Sequence, residues 1–131
     1  MFTISQIKAA HSKVKSGADF PRYIQDLKVL GVDRYDHFVS DGHTVYFSKT
    51  GEIENSGPQY PVGKVASARS VEDLKDALAA HQNGKTDYLT FCRQSGEAGV
   101  EKWTVDISKM SCTYLDLEGK EMVNEIIPDL K

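Results

Sequence analysis

With only two cysteines, Cys92 and Cys112, in 131 residues, the chain cannot be a disulfide-stapled secreted scaffold, and both read as reduced thiols. Long apolar runs are missing too. No stretch approaches the roughly 20 residues that a membrane-spanning helix needs. The opening MFTISQIKAAHSKVK has no hydrophobic signal core, so neither a membrane location nor export is expected. Nor is charge of one sign in excess. Sixteen basic against nineteen acidic side chains give −3, which argues against nucleic acid as a partner. There is no CxxC, no HExxH and no glycine-rich phosphate loop, so no metal, nucleotide or other cofactor is predicted. What is present is an ordinary globular balance, 40% apolar and 27% charged. A chain of this length can bury roughly two thirds of its unfolded surface without metal or disulfides. The expectation is one cytoplasmic domain covering residues 1–131.

The most informative feature is internal similarity. GVDRYDHFVSDGHTVYFSKTG (31–51) aligns without a gap on GVEKWTVDISKMSCTYLDLEG (99–119). Gly31, Val32, Ser40, Tyr46 and Gly51 recur as Gly99, Val100, Ser108, Tyr114 and Gly119, and Tyr35 faces Trp103. Upstream, 3–17 resembles 70–84. Thr3 and Ser70 are cap residues, with Gln6 and Asp73 three positions on. Gly17 and Gly84 stand where a left-handed helix end is wanted.

A second helix follows in each half. Asp19 and Pro21 start one, with Phe20, Tyr23, Ile24, Leu27 and Leu30 as its apolar stripe. The other starts near Thr86 or Asp87 and carries Tyr88, Leu89, Phe91 and Cys92. Three strands come next, about 33–40, 43–48 and 52–55, then about 100–107, 111–116 and 120–126. Asp41-Gly42 reads as a two-residue hairpin, pairing Ser40 with His43, Val39 with Thr44, Phe38 with Val45 and His37 with Tyr46. The fold class is therefore α+β: an internally duplicated ααβββ unit, helices packed on antiparallel sheet, with pseudo-twofold symmetry. The halves run about 1–55 and 70–127, joined by a Pro- and Gly-bearing linker at about 56–69. Strand order stays open. A continuous six-stranded sheet would leave no groove between the halves, whereas two facing sheets would create one.

HSKVKSGADFPRYIQDLK, FVSDGHTVYF, GKTDYLTFC and EKWTVD resemble the YbcV-like family, a group of unknown function sometimes labelled phage envelope protein. The resemblance covers nearly the whole chain. It implies a small bacterial or prophage-borne α+β protein and brings no activity, cofactor or partner with it.

Strand alternation separates two faces. One holds Tyr35, His37, Val39, Thr44 and Tyr46, matched by Trp103, Val105, Ile107, Cys112 and Tyr114; it is the core face. The other holds Phe38, Val45 and Phe47 against Asp106, Thr113 and Leu115, so the first half has an apolar patch where the second does not. That patch is a candidate interaction face, for self-association or an unknown protein partner. His11, His37 and His81 fall on apolar faces, where a hydrogen-bonded core histidine is the ordinary outcome. His43, beside Asp41 at the hairpin tip, is a candidate base or ligand contact. A Cys92–His43 nucleophilic pair is the other catalytic arrangement to test. The tyrosines on inward stripes need partners for their hydroxyls or a cavity to face. Tyr23, His43, Tyr46, Tyr88 and Trp103 are the predicted lining of a polar-aromatic pocket between the halves.

Three functions rank in order: a non-catalytic binding or interaction protein, a small-molecule binding module, and a small enzyme using His43. No catalytic residue is assigned.

Overall fold

The computed structural model describes residues 2–14, 19–61 and 63–127. Its elements are α1 (Ile4–His11), α2 (Phe20–Leu30), β1 (Val32–Phe38), β2 (Thr44–Ser48), β3 (Ile53–Asn55), α3 (Val71–Gln82), α4 (Tyr88–Glu97), β4 (Lys102–Asp106), β5 (Ser111–Leu115) and β6 (Glu121–Ile126). The fold is α+β; among the described residues there are four helices and one antiparallel sheet.

The helix starts follow their cap chemistry. Thr3 accepts from the Gln6 amide while the Gln6 side chain accepts from the Thr3 amide, a complete capping box. Ser70 and Asp87 cap α3 and α4 by accepting from Asp73 and Thr90 amides. Pro21 sits in the first turn of α2, where its missing N–H costs nothing. That helix stops at Gly31, whose φ of 98° an L side chain resists. Gly84, just past α3, has φ 74°; Gly17 lies outside the described residues. Leu89, expected on the inner stripe of α4, is instead 60% exposed, because the stripe is carried by Phe91, Cys92 and Ser95.

Strand order is β3-β2-β1-β4-β5-β6, a single continuous sheet. Its centre is the antiparallel β1–β4 pair, with Asp36 opposite Thr104 and Tyr35 opposite Val105. On one face Tyr35, His37, Tyr46, Trp103, Val105, Cys112 and Tyr114 are all buried, and they join the buried residues of the four helices in one core. The other face carries Phe38, Val45, Phe47, Thr104 and Thr113, all part-exposed.

The first hairpin differs from its expected form. His37 pairs with Thr44, Asp36 with Val45, Tyr35 with Tyr46 and Arg34 with Phe47, leaving 39–43 as a wider loop. The Asp41-Gly42 turn is not made because the loop backbone is engaged elsewhere. The Val39 amide donates to the Glu101 carbonyl, and the Ser40 and Asp41 carbonyls accept from Gly63, Gln59 and Tyr60 amides of the linker. Asp41 Oδ1 accepts from the His43 amide, and the Gly42 amide closes back onto the Phe38 carbonyl. The register moves by two residues rather than one, so every side chain keeps the face that alternation assigns.

Candidate functional site

The two helix pairs pack within themselves, α1 on α2 and α3 on α4, with little contact from one pair to the other. Between them, over the sheet, lies a cleft of about 460 Å³, within the range of small-molecule sites. A continuous sheet and a groove thus coexist, because the helices rather than two facing sheets form its walls.

The floor is built by strand alternation. Thr44, His37, Trp103 and Tyr114 are successive cross-strand partners on β2, β1, β4 and β5, giving a row of polar and aromatic groups across the sheet. His37 stacks on Trp103 at 4.3 Å and 19°. Its Nδ1 lies 3.0 Å from Thr44 Oγ1 and 3.2 Å from the Tyr88 hydroxyl. His37 is 3% exposed, and burial lowers its pKa to about 3, aided by His11 and His43 and opposed by Asp41. The imidazole is neutral at physiological pH.

One end of the cleft is lined by hydroxyls. Tyr23 of α2 and Tyr46 of β2 place their oxygens 3.4 Å apart, and Tyr35 stacks obliquely on Tyr46 at 5.4 Å. Burial pushes all three phenols above their ordinary range, so they stay protonated. At the mouth, His11 presents its ring edge-on to Tyr23 and Tyr88 at 5.3 Å from each. One side of it is exposed, yet packing among these rings lowers its pKa. At the far end Gln82 donates to the Glu125 carboxylate at 3.1 Å.

A family comparison can be set against this geometry. The model of the family described as "Protein of unknown function (DUF1398)" matches residues 8–126. The chain belongs to the DUF1398 family. An uncharacterised protein of Mycobacterium bovis and two of Mycobacterium tuberculosis strains are each 27% identical over 103 residues. The match covers 77% of this chain and 62% of theirs, so this DUF1398 chain spans less than two thirds of those relatives.

Of the five residues expected to line a pocket, Tyr23, Tyr46, Tyr88 and Trp103 do line the cleft, and His43 does not. His43 stacks on Phe38 at 4.2 Å, and its Nδ1 donates to Asp41 Oδ1 at 2.6 Å. The wider loop holds it there. The Cys92–His43 pair is replaced by another: Cys92 Sγ lies 3.8 Å from His37 Nε2. With Thr44 on the far nitrogen this has the outline of a nucleophile, base and orienting group. Burial defeats it, pushing the thiol up to about 11 while holding the imidazole near 3, so the pair rests as neutral thiol and neutral imidazole. Cys112 is likewise buried, its thiol pushed up to about 12.

Sequence reasoning left His11, His37, Tyr35, His81 and Tyr114 out of the lining. Their inward faces were legible; that the helices would part above them was not. The candidate interaction residues Phe38, Val45 and Phe47 are part-buried on the opposite sheet face. Arg34 lies over the Phe47 ring at 4.1 Å and Lys102 near Phe38 at 5.5 Å. Among the described residues no three His, Cys, Asp or Glu side chains form a metal set, and no helix is long and apolar enough to cross a membrane.

Proposed function

We propose that this DUF1398 protein is a non-catalytic small-molecule binding module whose site is the cleft between the helix pairs. The observation that carries this reading is the Tyr23–Tyr46 hydroxyl pair, with the buried Tyr35 ring against Tyr46, on an open cleft of about 460 Å³ instead of bulk water or a closed core. Close packing is the rule for interiors, and a core needing only stability would fill this space with aliphatic side chains. Native mass spectrometry of untagged protein from its own kind of host tests it. Expected is an adduct that vanishes on denaturation and is lost in His11→Trp, which fills the mouth but leaves the floor intact. A bare chain, or an adduct indifferent to that substitution, would overturn the reading.

A second reading, association through the outer sheet face, is favoured by one observation. Ile53 of β3 is 61% exposed opposite Phe47 of β2, and among the described residues no helix lies over this face. Arg34 and Lys102 shield much of the apolar surface, which is why it ranks second. A concentration-dependent mass in sedimentation, abolished by Ile53→Lys, would support it.

The halves are read as one duplicated ααβββ unit within a single domain. Support comes from Asp36 pairing with Thr104, its own counterpart in the alignment, and from left-handed backbone recurring at Gly31 and Gly99, Gly42 and Met110, Gly51 and Gly119. A cytoplasmic setting is proposed from the two unpaired, buried thiols. The narrower YbcV-like grouping and a prophage origin rest on the sequence motifs alone.

A further inference from the structure

We infer that the cleft takes an uncharged, planar aromatic molecule with a hydroxyl or similar group at one end, its ring against Tyr88 and Trp103 and its polar end at Tyr23 and Tyr46. This rests on the binding function proposed above and specifies the ligand class.

Shape and surface come first. The floor and walls present ring faces and edges on a sheet whose strands are about 4.8 Å apart, so a flat body meets aromatic carbon on both sides. The Trp103 ring is held by His37 stacked on it from the neighbouring strand, by Phe91 and Tyr114 at 5.4 and 5.6 Å, and by Tyr88 edge-on at 6.5 Å, which leaves it pre-positioned rather than free to collapse into the space.

The polar end is equally specific. The Tyr23–Tyr46 oxygen separation of 3.4 Å is long for O–H···O, which is commonest near 2.7–2.8 Å. Neither hydroxyl is well satisfied by the other. One inserted oxygen can accept from one phenol and donate to another.

Charge excludes the alternatives. His37 and the floor tyrosines are neutral at physiological pH, so a carboxylate or ammonium group among them would lose its hydration with no counter-charge. The other ionisable side chains of the lining are Lys8 and His11, both exposed on α1, His81, whose Nδ1 lies 3.2 Å from the Thr86 carbonyl, and Glu125, tied to Gln82.

The chain has a single tryptophan, so the ¹⁵N-labelled protein gives one indole resonance, and that residue lines the cleft. Titrating it at pH 7 with 2-naphthol, naphthalene, 2-naphthoate and 2-naphthylmethylammonium tests the class directly. Expected is that 2-naphthol binds about three- to tenfold tighter than naphthalene, the yield of one or two neutral hydrogen bonds. It should exceed both charged probes by at least about tenfold. In Tyr46→Phe, and more fully in the Tyr23→Phe/Tyr46→Phe double variant, the advantage over naphthalene disappears while naphthalene itself binds as before, which also shows the variants are folded. Equal binding of 2-naphthol and naphthalene, or tighter binding of a charged probe, would overturn this ligand class and leave the binding function standing. An indole resonance unmoved by all four would overturn both.

Discussion

His37 shows how much one buried side chain can set. Its ordinary pKa is near 6.5, and burial between Trp103 and Cys92 takes it to about 3. Between those values the unfolded chain binds a proton that the folded chain does not, so stability rises with pH across the window and falls on acidification. From pH 6.5 to 5 the loss is about 2 kcal/mol, at roughly 1.4 kcal/mol for each unit. His11 is shifted the same way and adds to it. The aspartates held below their ordinary range, Asp41 and Asp116 among them, lose their contribution only at lower pH. Urea unfolding at pH 7 and pH 5 measures the slope, and His37→Gln should remove most of it. An unchanged slope would mean that the imidazole is protonated in the native protein. The neighbouring thiol gives a companion result. With Cys92 pushed up to about 11 and Cys112 to about 12, iodoacetamide at pH 7.5 should label neither in native protein and both in urea. Rapid native labelling of Cys92 would restore the nucleophilic reading.

At the scale of elements, two glycines separate backbone strain from crowding. Gly31 and Gly99 each begin a turn into a central strand, with φ of 98° and 99°. A Cβ on Gly31 would meet nothing within 4 Å, whereas one on Gly99 would lie 2.9 Å from Arg69 Cα. Both alanine substitutions carry a left-handed penalty of about 1–2 kcal/mol. Gly99→Ala should cost at least about 1 kcal/mol more, because a backbone atom cannot swing aside. The Arg69 segment is fixed by the Ser70 amide donating to the Ala98 carbonyl and by Arg69 bonding Asp116 at 3.1 Å. Equal costs in denaturant midpoints would show that the linker yields freely. These same elements show what a sequence can and cannot convey. Caps, glycine stops and two-residue alternation are local, so helix starts and sheet faces were legible from Thr3, Ser70, Gly31 and the Tyr35–Trp103 correspondence. The hairpin register was not, because the carbonyls of Ser40 and Asp41 are taken by a linker about 20 residues away in sequence. The site was half legible for the same reason. Inward tyrosines could be named, but the gap above them depends on how helix pairs settle on a finished sheet, and His43 was lost with the misread turn.

Across the whole molecule the decisive contact is β1 against β4. It joins the halves by backbone ladder and brings His37 opposite Trp103 and Tyr35 opposite Val105, so the floor of the cleft does not exist in either half alone. Each half would have about 60 residues, a size at which a lone core is marginal, and would expose a central strand as a bare edge. One cooperative unit is therefore expected. Leu74 of α3 is fully buried, and Leu74→Ala should cost about 2–5 kcal/mol. If the sheet unfolds as a whole, that loss must also appear in the other half. Native-state hydrogen exchange reads this directly, since the slowest amides report global unfolding. The slowest amides of β1 and β2 should lose protection by the same free energy as those of β4 and β5. Loss confined to β4 and β5 would mean that the first half holds its strands without the second, and the cleft would then be an interface between two folding units rather than a feature of one.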